Sequence, residues 1–142
     1  MTLKLEYLDF IVVREEWSVY RLSSGTIVRV KILPTRFVRK DENRFSADFK
    51  TIIDVIPSDE DRGTPTPPTP SKPMTPEDIL GVVDFTPIRE AVNIYDIPDA
   101  KMIIILVLKV EQIIASKRFN EKGVRIFDVK GKLGLTPVKY PR

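Results

Sequence analysis

Cysteine and histidine are both missing from this chain of 142 residues. Without cysteine there are no disulfides, no zinc–thiolate sites and no thiol nucleophile. Without histidine the commonest general base and the commonest transition-metal ligand are gone as well. Asparagine and glutamine are scarce while Ile, Lys, Arg and Glu are plentiful, a bias seen in proteins from hot environments. No glycine-rich phosphate loop or hydrolase elbow is present. The most apolar run, Met102–Val110, is too short to cross a bilayer as a helix. Met1–Val13 alternates and carries Lys4, Glu6 and Asp9, which is not the pattern of a signal peptide. The expectation is a cytoplasmic protein with no cofactor and no membrane contact.

What is present suffices for a folded core. Hydrophobic residues make up 42% and charged residues 30%, the balance of a globular chain. The net charge of +3 permits nucleic-acid contact without demanding it. Met102–Val110 reads Met-Ile-Ile-Ile-Leu-Val-Leu-Lys-Val; its β-branched residues predict a strand buried on both faces. Most of the 12 prolines fall in Pro57–Pro76, which predicts a stiff, extended spacer. Thr75-Pro76-Glu77-Asp78 has the cap, proline and acids of a helix start, with room for a helix only to about Leu80. The remaining segments alternate as strands: Trp17–Leu22, Thr26–Arg39 with an edge, bulge or bend at Pro34, Phe45–Ile56, Val82–Phe85, Ala91–Ile97, Lys101–Ser116 and Val124–Val129. Gly131–Gly134 reads as loose and Leu135–Tyr140 as an edge piece.

The chain also aligns with itself at an interval of about 75 residues. Set against each other without gaps, Leu8–Lys40 and Val83–Ala115 share Asp9/Asp84, Phe10/Phe85, Arg14/Arg89, Glu15/Glu90, Tyr20/Tyr95 and Leu33/Leu108. Deleting one residue in the following turn adds Arg44/Arg118, Phe45/Phe119, Ile52/Ile126, Asp54/Asp128 and Val55/Val129. The expected fold is therefore all-β, a tandem duplication of a small β-barrel or sandwich-like unit of about 50 residues. Residues 1–57 form the first unit, 58–76 the proline-rich linker and 77–142 the second. The Tyr-x-Leu-x-x-Gly-Thr stretch at Tyr20–Thr26 resembles Sm-like or SH3-like strands in shape, though the second copy lacks its glycine.

The alignment also shows a difference. Without gaps, Arg29 and Lys31 of the first copy fall opposite Ile104 and Leu106 of the second, so the second copy has lost a polar face. Bare aliphatic side chains on a strand face are unfavourable in water, so cover by the first copy, by the linker or by a second chain is expected. Ile104, Leu106 and the unmatched Trp17 are the candidate partner-binding residues. Arg29, Lys31 and Arg39, placed on one strand face by alternation, are the candidate phosphate contacts. The repeated acids and arginines, Asp9, Arg14, Glu15 and Asp54 with their counterparts, read as structural rather than catalytic or metal-binding. The functional expectation is a non-enzymatic binding or assembly module, engaging a protein partner or a second copy. The alternative is an RNA- or DNA-binding accessory protein, with association with ribosomes as one form of it.

Overall fold

The computed structural model describes residues 6–66 and 75–141. The middle of the proline-rich spacer, residues 67–74, lies outside them, as do residues 1–5 and 142. The described chain is mostly β, with two five-stranded antiparallel sheets and no α-helix. The strands are β1 Glu6–Leu8, β2 Ile11–Arg14, β3 Ser18–Leu22, β4 Ile27–Arg39, β5 Phe45–Ile56, β6 Ile79–Val83, β7 Phe85–Arg89, β8 Val92–Ile97, β9 Met102–Phe119 and β10 Arg125–Lys139. Thr75–Asp78 makes a single 3-10 turn at Pro76–Asp78, closed by the Asp78 carboxylate accepting from the Thr75 backbone N–H (3.2 Å) and hydroxyl (3.0 Å). Strand β6 follows at once, so the helix start leads into no helix.

In the first sheet the long strand β4 has β5 along one edge. Strands β3 and β1 pair with opposite ends of its other edge. In the second sheet β9 takes β10 along one edge, and β8 and β6 at opposite ends of the other. The outermost strand of each sheet comes from the far half of the chain: β7 pairs with β3, and β2 pairs with β8. The stretch expected to run as one strand, Val82–Phe85, is instead split at Asp84 between the two sheets. Neither sheet is built from one half of the sequence alone.

The crossing is held by reciprocal contacts. The Ser18 hydroxyl accepts from the Ala91 backbone N–H (3.1 Å), and the Asn93 amide oxygen accepts from the Glu16 backbone N–H (3.0 Å). Both side chains are buried. Phe10 meets Tyr95 edge-on at 5.7 Å between ring centres, and Phe85 meets Tyr20 at 5.6 Å. Such edge-to-face pairs add about 0.5–1.5 kcal/mol each beyond the area they bury. Two apolar clusters fill the space between the sheets. Tyr20, Leu22, Val28 and Val30 pack with Val110, Ile113 and Phe127, while Leu8 and Phe37 pack with Tyr95, Ile97, Ile104 and Leu106.

Register separates the long strands from the simple alignment. Leu22 bonds across to Thr26 over the turn Ser23-Ser24-Gly25, whereas Ile97 faces Met102 over the longer turn Pro98-Asp99-Ala100-Lys101. That added residue shifts every later correspondence. Tyr20 faces Val28 and Tyr95 faces Ile104, so Val28 corresponds to Ile104, Arg29 to Ile105 and Lys31 to Val107. The bulges agree, at Thr35 in β4 and at Glu111 in β9. In the last strands Asp54 faces Arg29 but Asp128 faces Ile114, so these two aspartates occupy different register positions. Gly131–Gly134 is not loose but lies within β10. A Cβ on Gly131 would stand 2.3 Å from the Lys109 carbonyl oxygen, so only glycine permits the approach.

The two buried tyrosines make a controlled comparison. Tyr95 donates to the Glu15 carboxylate (2.8 Å), while the buried Tyr20 hydroxyl has no hydrogen-bond partner among the described residues. Burial, reinforced by Glu15, pushes the Tyr95 hydroxyl well above the ordinary tyrosine range, and burial raises Tyr20 as well. Tyr95→Phe is expected to cost about 1.5–3 kcal/mol, the worth of a hydrogen bond to a charged group, and Tyr20→Phe about 0.5 kcal/mol or less. A raised folded-state value means stability is full below the unfolded value of 10.0 and falls as pH climbs above it. Denaturant unfolding of both variants at neutral and alkaline pH measures this, with Tyr95→Phe expected to flatten the alkaline loss.

Candidate interaction surfaces

Cross-strand partners point to the same face of a sheet, so the pairings assign each side chain. On the outer face of the first sheet, Arg29 faces Asp54, Lys31 faces Ile52, Arg36 faces Asp48 and Arg21 faces Ile27. Arg39 faces Phe45, one position out of phase, because the bulge at Thr35 resets the alternation. Arg39 therefore lies on the face of Phe37 and not with Arg29 and Lys31. Its guanidinium stacks 5.5 Å from the Phe45 ring centre. The predicted strip of three cations is thus broken up.

Trp17 does join Arg29 and Lys31. The Arg29 guanidinium lies 4.5 Å from the centre of its ring and the Lys31 ammonium 5.6 Å. Arg29 Nε also donates to Asp54 (3.0 Å). Two of the predicted contacts are therefore half-buried and already engaged within the chain. Exposed cations of this face are Arg21, Arg36 and Lys50, with Arg89 on β7 beside Val19. Arg36 stacks on the exposed Tyr7 at 4.6 Å. Of the repeated acids, Asp9, Asp84 and Glu90 are exposed, while Asp54 accepts from Arg29 and Glu15 is half-buried beside the unrepeated Glu16. Glu15 accepts from Tyr95, and Glu16 lies 3.2 Å from Arg14 and 3.9 Å from Arg89. The Arg14 hydrogen bond holds the Glu16 carboxyl below the usual range. Among the described residues no acidic cluster has metal-holding geometry.

Ile104 and Leu106 are 0% and 1% exposed. Cover comes from Leu8 and Phe37 of the first half, so no partner reaches these two side chains in the folded chain. Their neighbours take the outward positions. Ile103, Ile105 and Val107 face Val138, Thr136 and Gly134 on one side and Asp96, Ile94 and Val92 on the other. Ile11, facing Asp96 from β2, extends the strip and is 57% exposed. The outer face of the second sheet is therefore aliphatic at the positions where the first sheet carries Arg29 and Lys31. The sequence marked the loss of a polar face but assigned it to the residues one position away.

The two ends of the molecule differ in another respect. Past β5 the chain makes a 3-10 turn at Asp59–Asp61 and crosses the tip of the β9–β10 hairpin. Arg62 bridges to Val124, and the backbone N–H of Gly63 donates to Gly123 (2.9 Å). Asp61, 5% exposed, accepts from the hydroxyls of Ser24 (2.8 Å) and Thr26 and from Arg125 Nε (2.8 Å). At the opposite end a groove of about 990 Å³ opens between the β4–β5 tip, the β8–β9 turn and the end of β10.

Among the described residues, no helix is long and apolar enough to cross a membrane. No family model, curated protein or solved structure matches the chain.

Asp61 and Arg125 are both almost out of water, so removing either leaves a charge without its partner. Asp61→Ala is expected to lower unfolding stability by about 3–5 kcal/mol. A double-mutant cycle with Arg125→Met checks the pairing: the second change should cost far less once the first is made.

Proposed function

We propose that the chain is a non-enzymatic binding or assembly module, built by duplication of one unit, whose working surface is the outer aliphatic face of the second sheet. The observation that carries this is the line of half-buried Ile103, Ile105, Val107 and Ile94, continued by the exposed Val92 and Ile11. Monomeric proteins rarely leave a connected apolar patch of that kind in water, and such patches mark interaction sites. The register supports the comparison with the first sheet, where the corresponding positions are charged. The duplication reading draws on the matching strand order, the matching bulges and the reciprocal Phe–Tyr contacts. In this reading the two sheets form one sandwich-like body, with residues 1–57 and 77–142 each lending a strand to the other. The module engages a protein partner or a second copy of itself.

The test is to give the second sheet the residues of the first. Ile105→Arg with Val107→Lys places cations on the outer face without touching either core cluster. A retained melting temperature with reduced mass in solution, or with loss of a captured partner, is the expected result. Unchanged mass and unchanged capture would remove the face from consideration.

A second reading, nucleic-acid binding, is favoured by the outer face of the first sheet. There Trp17, Arg29 and Lys31 stand together, with Arg21, Arg36 and Lys50 exposed around them. Arg and aromatic side chains on one sheet face suit backbone phosphates and stacked bases. Arg21→Glu, Arg36→Glu and Lys50→Glu together should abolish binding to a fluorescent single-stranded oligonucleotide. In the unaltered protein that affinity should fall steeply with salt. Binding that is indifferent to both changes would count against this face.

A further inference from the structure

Each hairpin of the long strands closes on an arginine opposite a phenylalanine. In β4–β5 these are Arg39 and Phe45; in β9–β10 they are Arg125 and Phe119, with the guanidinium 4.7 Å from the ring centre. At the β9–β10 end the arginine is used. The acidic segment Asp59–Asp61 runs across the tip, Asp61 bonds Arg125 Nε, and Arg125 also donates to the Glu60 carbonyl (3.3 Å). Thr66 continues the contact, donating its backbone N–H to the Phe119 carbonyl (3.1 Å). The molecule thus contains one worked example of an acidic segment, turned at Asp59–Asp61, seated on this kind of end.

The other end is assembled from the corresponding parts: the start of β1, the β4–β5 tip, the β8–β9 turn and the end of β10. Arg39 lines the groove there, and its Nε is buried with no hydrogen-bond partner among the described residues. A buried unpaired guanidinium N–H is costly unless something accepts from it. Lys40, Lys101 and Lys139 stand around the same groove. Of the acids that line it, Asp41 is already held by Arg44 Nε and the local backbone, which leaves Glu6 and Glu42. The groove carries more free cations than free anions among its described lining residues.

We infer that this groove binds an acidic peptide segment of a partner protein, which presents a carboxylate to Arg39 as Asp61 is presented to Arg125. The site is separate from the outer face of either sheet, so it stands or falls independently of the readings above. Lys101 and Lys139 supply the charge that draws the segment in, and their attraction is screened by salt.

The probe is a synthetic peptide copied from Pro57–Thr66, titrated into the isotope-labelled full chain and followed by amide NMR shifts. Shifts confined to the β4–β5 tip, the Lys101 turn and Tyr140 are expected. Affinity should drop at least tenfold when the peptide's second aspartate, the counterpart of Asp61, is replaced by asparagine, and similarly in Arg39→Gln. Lys101→Glu with Lys139→Glu, both exposed and clear of the core, gives a second variant in which binding should be lost with an unchanged melting temperature. No shift at these residues at millimolar peptide would overturn the proposal. So would equal binding by the asparagine peptide, or inorganic phosphate reproducing the same shifts at the same concentration, which would make the groove a general anion site.

Discussion

The structure depends on an exchange: each half of the chain gives its second strand to the other half's sheet. An antiparallel sheet edge with apolar neighbours needs cover, and here β2 and β7 supply it crosswise. The exchange is fixed by pairs of contacts that repeat across the molecule, Ser18 with Ala91 and Asn93 with Glu16, Phe10 with Tyr95 and Phe85 with Tyr20. Half of the residues that make it, the two phenylalanines and the two tyrosines, match between the halves of the sequence. Phe10 meets Tyr95 and Phe85 meets Tyr20, so each half's phenylalanine packs on the other half's tyrosine.

Much of this was legible beforehand and some was not, for reasons that can be stated. Strands from Trp17 to Ile56 and from Ala91 to Ser116 show in alternation and turn residues, and the bulge near Pro34 shows in the missing N–H donor. The exchange is invisible because a short strand carries no mark of which sheet it joins. The phase of β9 is invisible for a different reason. Met102–Leu108 is apolar at every position, so a one-residue shift leaves the pattern unchanged, and only the longer turn at Pro98–Lys101 reveals it. In β4 the charged Arg29 and Lys31 fixed the phase correctly, but past Thr35 the bulge moved Arg39 to the other face. The acidic turn at Asp59–Asp61 was read as part of a spacer because its partners, Ser24, Thr26 and Arg125, are remote in sequence.

The two sheets carry opposite chemistry on equivalent frames. One outer face holds Arg29 and Lys31 against Trp17, and the other holds Ile105 and Val107. Both share an interior of the same kind, so the backbone tolerates either surface. The long edge strands are shielded by their own residues. Strand β10 carries Lys130, Lys132, Pro137 and Lys139 along the side that no other strand covers, which discourages edge-to-edge pairing with another chain. Association through the second sheet would then be face to face.

The exchanged strands also set the order in which the molecule can be completed as it leaves the ribosome. The first sheet lacks its outer strand until Phe85–Arg89 has been synthesised, and the second cannot close before Arg125–Lys139. The early half must wait with the open edge of β3 and the apolar side of β4 uncovered. Pairings between residues so far apart in sequence are slow to form and expose the nascent chain to misassembly.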